Sequence, residues 1–296
     1  MDSPPSAAPP VGRAQILKAA AALGVLGDGN HSATRIMAAL CNSEVNARDV
    51  AALIGQEPGL YARVLRVANS PYYGQTRCIG TLDRALVVLG LNAVRGIAAA
   101  ACLDRTVPRA RTGALVDMTS LVHHSIATAA AAESLAQVRH PELAAEAFIA
   151  GLLHNLGVVV QIFLDARGIQ AIIALRAADD RREIRALESE RTLVGHEECI
   201  AVIFEEWQLP KSLIVAARNH HEPMRADEAY RPLASLINLG ATLGLASGNT
   251  FTLEPAPCTR SPAAMSCLGL DDGNLDAVAA DLPGRVAELK KALLDS

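Results

Sequence analysis

The stretch AFIAGLLHNLGVVVQIFL, residues 147–164, carries no formal charge over 18 positions, near the lower limit for a helix that spans a bilayer. It is therefore either a membrane span or the central helix of a buried core. His154, Asn155 and Gln161 lie within it, and Gly157 interrupts it. Polar groups are costly in hydrocarbon, so a core helix broken at Gly157 is the expectation. A protein whose innermost helix contains an imidazole and two amides is built around them.

The flanking sequence supports that reading. The chain has 296 residues, 51% of them hydrophobic but only 3% aromatic, so the core must be assembled from Ala, Leu, Val and Ile. Alanine is the best helix former, and no strand alternation or βαβ rhythm is evident. With 20% charged residues the chain is globular rather than disordered, and its length suits one large domain or two small ones. The net charge of −4 lacks the basic footprint of a nucleic-acid binder. Six cysteines without a CxxC pair read as isolated thiols of a reducing compartment. Residues 1–10 show neither a basic nor an apolar leader region, so no signal peptide is expected. A soluble, cytoplasmic, all-α protein with no membrane association follows.

Helix ends have local causes. Asn46 with Asp49 three residues on resembles a capping box for a helix through Ile54. Pro58 opens the next helix, which buries Leu60, Val64 and Val67 and stops at Asn69-Ser70-Pro71. Thr81 caps a helix through Leu89, with Gly90 as its C′ residue. Residues 1–12 read as a disordered tail, 13–245 as the domain (an N-terminal half to about 112, a second half from 113), and 246–296 as a loop with a closing helix over about 282–294.

The histidines carry the chemical information. His123, His124, His154, His196, His220 and His221 fall where helices could converge. Ala147, Ala150 and Gly151 precede His154 on its own face, and Ser120, Ala127, Thr128 and Ala131 flank His124. Such small residues admit a close helix or leave room for a ligand. His196 lies on an apolar stripe of Leu193, Ile200, Ile203 and Trp207. His220 and His221 end a helix that Pro210 starts and that buries Leu213, Ile214 and Ala217. Each also has a plain structural role open to it, as a hydrogen-bonded core residue or as a partner of a helix C-terminus.

The segment GLLHNLGVVV is similar to the signature of the HD superfamily of metal-dependent phosphohydrolases, whose hallmark is an adjacent His-Asp pair. QEPGLYARVLRVANSPYYG, followed by IGTLDRALVVLGLNAVRGI, resembles the HDOD family, an HD-related group of bacterial signalling proteins. LVHHSIATAAAAESLA, GHEECIAVIFEEWQLP and ARNHHEP extend the resemblance, which covers roughly residues 30–244. It implies an all-α fold: an N-terminal bundle of short helices packed on an HD-like helical half, with a small C-terminal helical appendage. Residue by residue, His124 stands for the first HD histidine, His154 for the motif histidine and Asn155 for the motif aspartate. His196, His220 and His221 match further histidines of dinuclear relatives. The last metal-binding aspartate falls at Ala241 in LINLGATLG.

Both aspartates are thus replaced, by an amide and by a methyl. Two anionic ligands leave the set that would hold a metal ion and its activated water. The expectation is a vestigial site at His124, His154, Asn155, His196, His220 and His221, with no catalytic residue and no cofactor. No bound metal is expected, His124 and His154 being the weak candidates. The resemblance implies a bacterial, non-catalytic regulatory module acting on protein partners, linked to cyclic-dinucleotide pathways, with no nucleic-acid or membrane partner. Two alternatives stay open: a small-ligand sensor using the histidine-lined cleft, and a metal-dependent phosphohydrolase with an unusual site. The turn containing Asn69, Ser70, Tyr72 and Tyr73 is a candidate partner surface, because tyrosines are common interface anchors.

Overall fold

The computed structural model describes residues 11–23, 46–70, 78–91, 94, 115–207, 209–254 and 259–294. Among these there is no β-strand; Phe251 and Glu254 form a single isolated antiparallel bridge. The amino-terminal helices are α1 (Arg13–Ala22), α2 (Ala47–Gly55), α3 (Pro58–Ala68) and α4 (Leu82–Leu89). Their caps are those read from the sequence. Asn46 Oδ1 accepts from the Arg48 and Asp49 amides at 2.9 and 3.1 Å. Pro58 is the first residue of α3. Thr81 Oγ1 accepts from Arg84 N at 3.3 Å, and Gly90 follows α4 at φ 78°, a value that favours glycine.

A long central helix, α5 (Met118–Arg139), organises the second half together with α6 (Ala144–Leu153) and α12 (Arg231–Ala246). Its alanine run lets both neighbours approach to backbone contact. A Cβ built on Gly151 of α6 would stand 2.9 Å from Ala129 Cα, and one on Gly240 of α12 would stand 2.9 Å from Thr128 O. Larger residues at these positions would push apart the helices that carry His124 and His154. The layer is completed by α7 (Leu156–Leu164), α8 (Ala166–Ala177), α9 (Ile184–Arg191), α10 (His196–Glu206) and α11 (Lys211–Arg218). Helix α1 packs on α7 and α10, and Arg13 reaches across to Glu205 and Glu206.

Two expectations need correction. The charge-free stretch is two helices rather than one, and the break falls at His154-Asn155, not at Gly157. Gly157 instead sits inside α7 where α10 crosses it: a Cβ there would lie 2.0 Å from His196 O. The most apolar window of Pro141–Leu164 is 89% buried within the protein, as expected of a core helix. Leu193 precedes α10 and is 41% exposed, so it is not part of the His196 stripe, whereas Ile200, Ile203 and Trp207 are buried.

The C-terminal segment is more helical than its sequence suggested, with α13 (Pro262–Leu268) and α14 (Asp272–Leu294). Pro283 lies in the middle of α14 rather than near its start. The true start is set by Asp271, whose Oδ1 accepts from Asn274 N at 2.8 Å while Asn274 Oδ1 accepts from Asp271 N at 3.2 Å. This reciprocal cap starts the helix ten residues upstream of Leu282 and outweighs the proline. Helix α14 packs on both α3 and α5, burying Leu275, Leu282, Val286, Leu289 and Leu293. It therefore straps the first half to the second.

Candidate functional site: a buried five-histidine cluster

Five of the six histidines converge. Ring centroids are 5.4 Å apart for His124 and His154, 5.0 Å for His154 and His220, and 5.3 Å for His196 and His220. His221 closes the group at 4.2 Å from His220 and 5.1 Å from His196. His123 belongs to a different face of α5, where burial and the Lys290 charge hold its pKa down and the Asp117 charge works the other way.

Local structure explains the convergence. His154 caps the C-terminus of α6, and its Nδ1 meets Gly151 O at 2.6 Å. His220, just past α11, does the same with Ala217 O at 2.7 Å. His124 on α5 reaches Asn249 O at 3.0 Å. A carbonyl can only accept, so each Nδ1 carries the proton and donates it, leaving Nε2 with its lone pair. His196 opens α10 and places Nδ1 2.7 Å from Glu188 Oε1. Glu188 is fixed in turn by Gln161, whose Nε2 donates to it at 2.9 Å and to Val194 O at 2.8 Å.

The electrostatics divide the cluster. Burial holds His124 down to about 4 and His220 to about 3, and it keeps His154 and His221 well below the usual range. Burial also opposes the charge on His196. The charge of Glu188 and its hydrogen bond, with Glu197 and Glu254 behind, overturn that opposition and raise His196 to about 9. At neutral pH His196 is therefore an imidazolium paired with Glu188. Its Nε2 lies 3.2 Å from His221 Nε2 and 3.4 Å from His220 Nε2, whose lone pair faces it.

The HD resemblance implies a divalent metal, and the donor set can be tested against one. The ligand atoms of His196, His220 and His221 all lie within 4.8 Å of one another. Three imidazoles, two of them anchored through Nδ1 by carboxylate or carbonyl, suit zinc or another borderline transition ion. The residues fit. Among the described residues the metal-type triad is His196, His220 and His221, whereas the sequence reading expected no metal and named His124 and His154 as its weak candidates.

The carboxylates of the site are not where the HD pattern puts them. Asn155 is buried, with Nδ2 lacking any hydrogen-bond partner among the described residues, and Ala241 offers a methyl. Glu188 and Glu197 instead stand behind the histidines. Glu197 Oε1 accepts from His221 N at 3.3 Å, and its Oε2 pairs with Arg185 Nε at 2.8 Å. Glu254 comes from the segment after α12 and brings Oε2 to 4.0 Å from His124 Nε2. Sequence reading missed all three. Glu188 and Glu197 lie eight residues before and one after His196, a proximity that could have flagged them; Glu254 lies in a loop with no periodic signal.

Beside His221 opens a pocket of about 330 Å³, whose lining includes Arg185, Arg218, Arg225, Glu188, Glu197 and Glu222. Asn238 on α12 holds the backbone of His220, its Nδ2 donating to His220 O at 2.9 Å. Asn69 clamps the chain after α3: Nδ2 donates to Leu65 O and Ile79 O, both at 2.8 Å, and Oδ1 accepts from Ile79 N at 2.6 Å. Ser70 is buried. Tyr72 and Tyr73 lie outside the described residues.

Comparison with known proteins places this geometry. The HDOD domain model matches residues 28–223. A curated protein of Treponema pallidum, itself uncharacterized, is 29% identical over 205 residues, 68% of this chain. The chain spans about two fifths of that relative's length, 39%. Two solved structures share the fold. One, from Shewanella amazonensis and assigned as a phosphohydrolase, has a TM-score of 0.70 at 23% identity, covering 95% of this chain and 100% of its own. The other, from Marinobacter aquaeolei and assigned to signal transduction, scores 0.66 at 24% identity, covering 87% of this chain and 57% of its own. With two thirds of its length matched and its histidines gathered on an HD-like set of helices, the chain belongs to the HDOD domain family.

Proposed function

We propose that the protein is a non-catalytic regulatory module of a bacterial, cytoplasmic signalling pathway that acts through contacts with protein partners. The observation that carries this reading is the closure of the histidine cluster. His124, His154, His196 and His220 are at most 1% exposed, and Asn155 and Ala241 occupy the positions of the two HD aspartates. A phosphohydrolase must admit a phosphoester and keep an open coordination position for the attacking water, whereas structural metal sites are closed. An ion bound here would supply charge and rigidity to a closed core. The Marinobacter relative's assignment to signal transduction supports the same direction.

The test is hydrolysis of bis(p-nitrophenyl) phosphate and of a cyclic dinucleotide with manganese, iron(II) or zinc added. The expected rate equals that of His196→Ala. Metal-dependent turnover that disappears in His196→Ala would overturn the reading.

A second reading, a small-ligand sensor, is favoured by the pocket beside His221. Its volume falls at the low end for ligand sites, and its arginines and glutamates would recognise a small zwitterion. A ligand-induced rise in the melting temperature that is lost in Arg225→Ala would select this reading over the first.

A further inference from the structure

The pocket beside His221 has an unusual lining. Arg, Glu, Ser, Asn and Gly supply it, and among the described residues no aliphatic or aromatic side chain does. Ligand sites are mostly lined by apolar groups around a few polar ones. A nucleobase or an acyl chain finds nothing here to stack or pack against, so charge and hydrogen bonds must recognise the occupant.

The ion pairs of the lining show which sign is unmet. Each lining carboxylate already has a cation. Glu188 has the His196 imidazolium at 2.7 Å, Glu197 has Arg185 at 2.8 Å and Glu198 has Arg218 at 3.1 Å. Glu222 holds both Arg185 and Arg225, the latter at 2.8 Å. The guanidinium groups are not used up in return. Arg225 pairs through Nε alone, so its two terminal nitrogens make no hydrogen bond among the described residues. Arg218 spends Nε and Nη2 on Glu198 and Glu205, which leaves Nη1. The first fork comes from the end of α11 and the second from the turn Pro223–Arg225, and both line the one cavity. The spare capacity of the pocket is therefore N–H donors, which only an acceptor-rich group can use.

We propose that the occupant of this pocket is a small acyclic oxyanion, a phosphate- or carboxylate-bearing molecule held by Arg218 and Arg225. The inference rests on the sensor reading of the pocket and assigns the group it recognises. A guanidinium fork matches two oxygens of either anion, and about 330 Å³ is room for a compact molecule. Glu198 is the internal competitor. It is bound to Arg218 but is 50% exposed, so it is free to turn into solvent when the anion arrives. None of these residues stands at a position of the HD pattern, and the occupant needs no metal.

The probes are sodium phosphate and sodium succinate, each titrated calorimetrically into the full chain at low ionic strength, where exposed charges are least screened. Parent, Arg225→Ala, Arg225→Lys and Glu198→Gln are compared. The expected result is saturable binding of at least one anion by the parent, about tenfold or more weaker in Arg225→Ala. Glu198→Gln removes the competitor and should bind about two- to fivefold tighter. Stronger phosphate binding assigns a phosphoryl group to the occupant, and stronger succinate binding a carboxylate. Arg225 is 64% exposed and pairs only with Glu222, so Arg225→Ala should melt as the parent does. Should it not fold, Arg225→Lys, which keeps the charge without the fork, is expected to show the weakened binding instead. No saturable binding of either anion, parent-like affinity in the Arg225 variant, or unchanged or weaker binding in Glu198→Gln would each overturn the proposal. Glycine and ethanolamine separate that failure from failure of the sensor reading: a parent that binds either of them but neither anion is a sensor directed at an ammonium group, and the oxyanion assignment falls alone.

Discussion

Gly157 is where the fold and the histidine cluster meet most tightly, and Gly157→Ala should be strongly destabilising. An alanine Cβ at this position would lie 2.0 Å from His196 O and 2.9 Å from both His196 C and Ile200 N. The atoms it meets are all backbone, so no side chain can rotate away. An ordinary carbon–oxygen contact needs more than 3 Å, so α7 and α10 must separate by about 1 Å, a shift that forfeits a quarter to a half of each close contact's attraction. Overpacking a core costs about 1–3 kcal/mol, and a clash between two backbones belongs at the upper end. Replacing a helical glycine by alanine gains up to about 1 kcal/mol of propensity, which leaves a net loss of about 2 kcal/mol.

At a few degrees per kcal/mol for a domain of this size, that is a fall of about 4–8 °C in the melting temperature. Gly284 provides the opposite case. It lies in the exposed middle of α14 with nothing within 4 Å of a built Cβ, so Gly284→Ala should gain about 0.5–1 kcal/mol. Thermal melts and urea midpoints by circular dichroism at one pH read both. Gly157→Ala melting at or above the parent would refute the close crossing of α7 and α10, and with it the placement of His196.

Two further outcomes are expected. Burial raises Glu133 on α5 to about 7, against the pull of the Arg285 charge from α14. Its folded-state pKa lies above the unfolded one, so the native state binds the extra proton. Stability should fall as pH rises from about 4.5 to 7 and then level, by up to about 3 kcal/mol from this group. Urea unfolding at pH 5 and pH 8 should show a smaller pH difference in Glu133→Gln than in the parent; equal differences would remove Glu133 as the cause. Asn69→Ala strands both the N–H and the C=O of Ile79, and a loss of about 1–3 kcal/mol is expected in the same assay; a parent-like midpoint would show that water replaces the clamp at no cost.

The first-order description of this protein was legible in the sequence because it rests on local rules. Alanine-rich, aromatic-poor composition dictated helices. Asn46, Pro58, Thr81 and Gly90 set helix ends through hydrogen bonds and backbone angles that span four residues or fewer. Motif order placed His124, His154, His196, His220 and His221 in one family pattern, and the structure brings those five together. Where local rules compete, the sequence was ambiguous. Leucines at helical spacing placed the closing helix at about 282–294, but the Asp271–Asn274 cap and the burial of Leu275 against the core extend α14 ten residues upstream. Gly157 suggested a helix break, and the break instead falls at His154-Asn155.

What only the tertiary structure decided is the chemistry of the cluster. The family resemblance implied that two aspartates are replaced, but the sequence could not show Glu188 behind His196, Glu197 behind His221, or Glu254 beside His124. Nor could it show that four Nδ1 protons rest on carbonyl or carboxylate oxygens, leaving lone pairs turned inward at three of those rings and a protonated ring at His196. Those facts depend on contacts between residues up to 130 positions apart. The charge of a buried group is set by what surrounds it in three dimensions, through desolvation and the nearest opposite charge, and sequence neighbours carry almost none of that information.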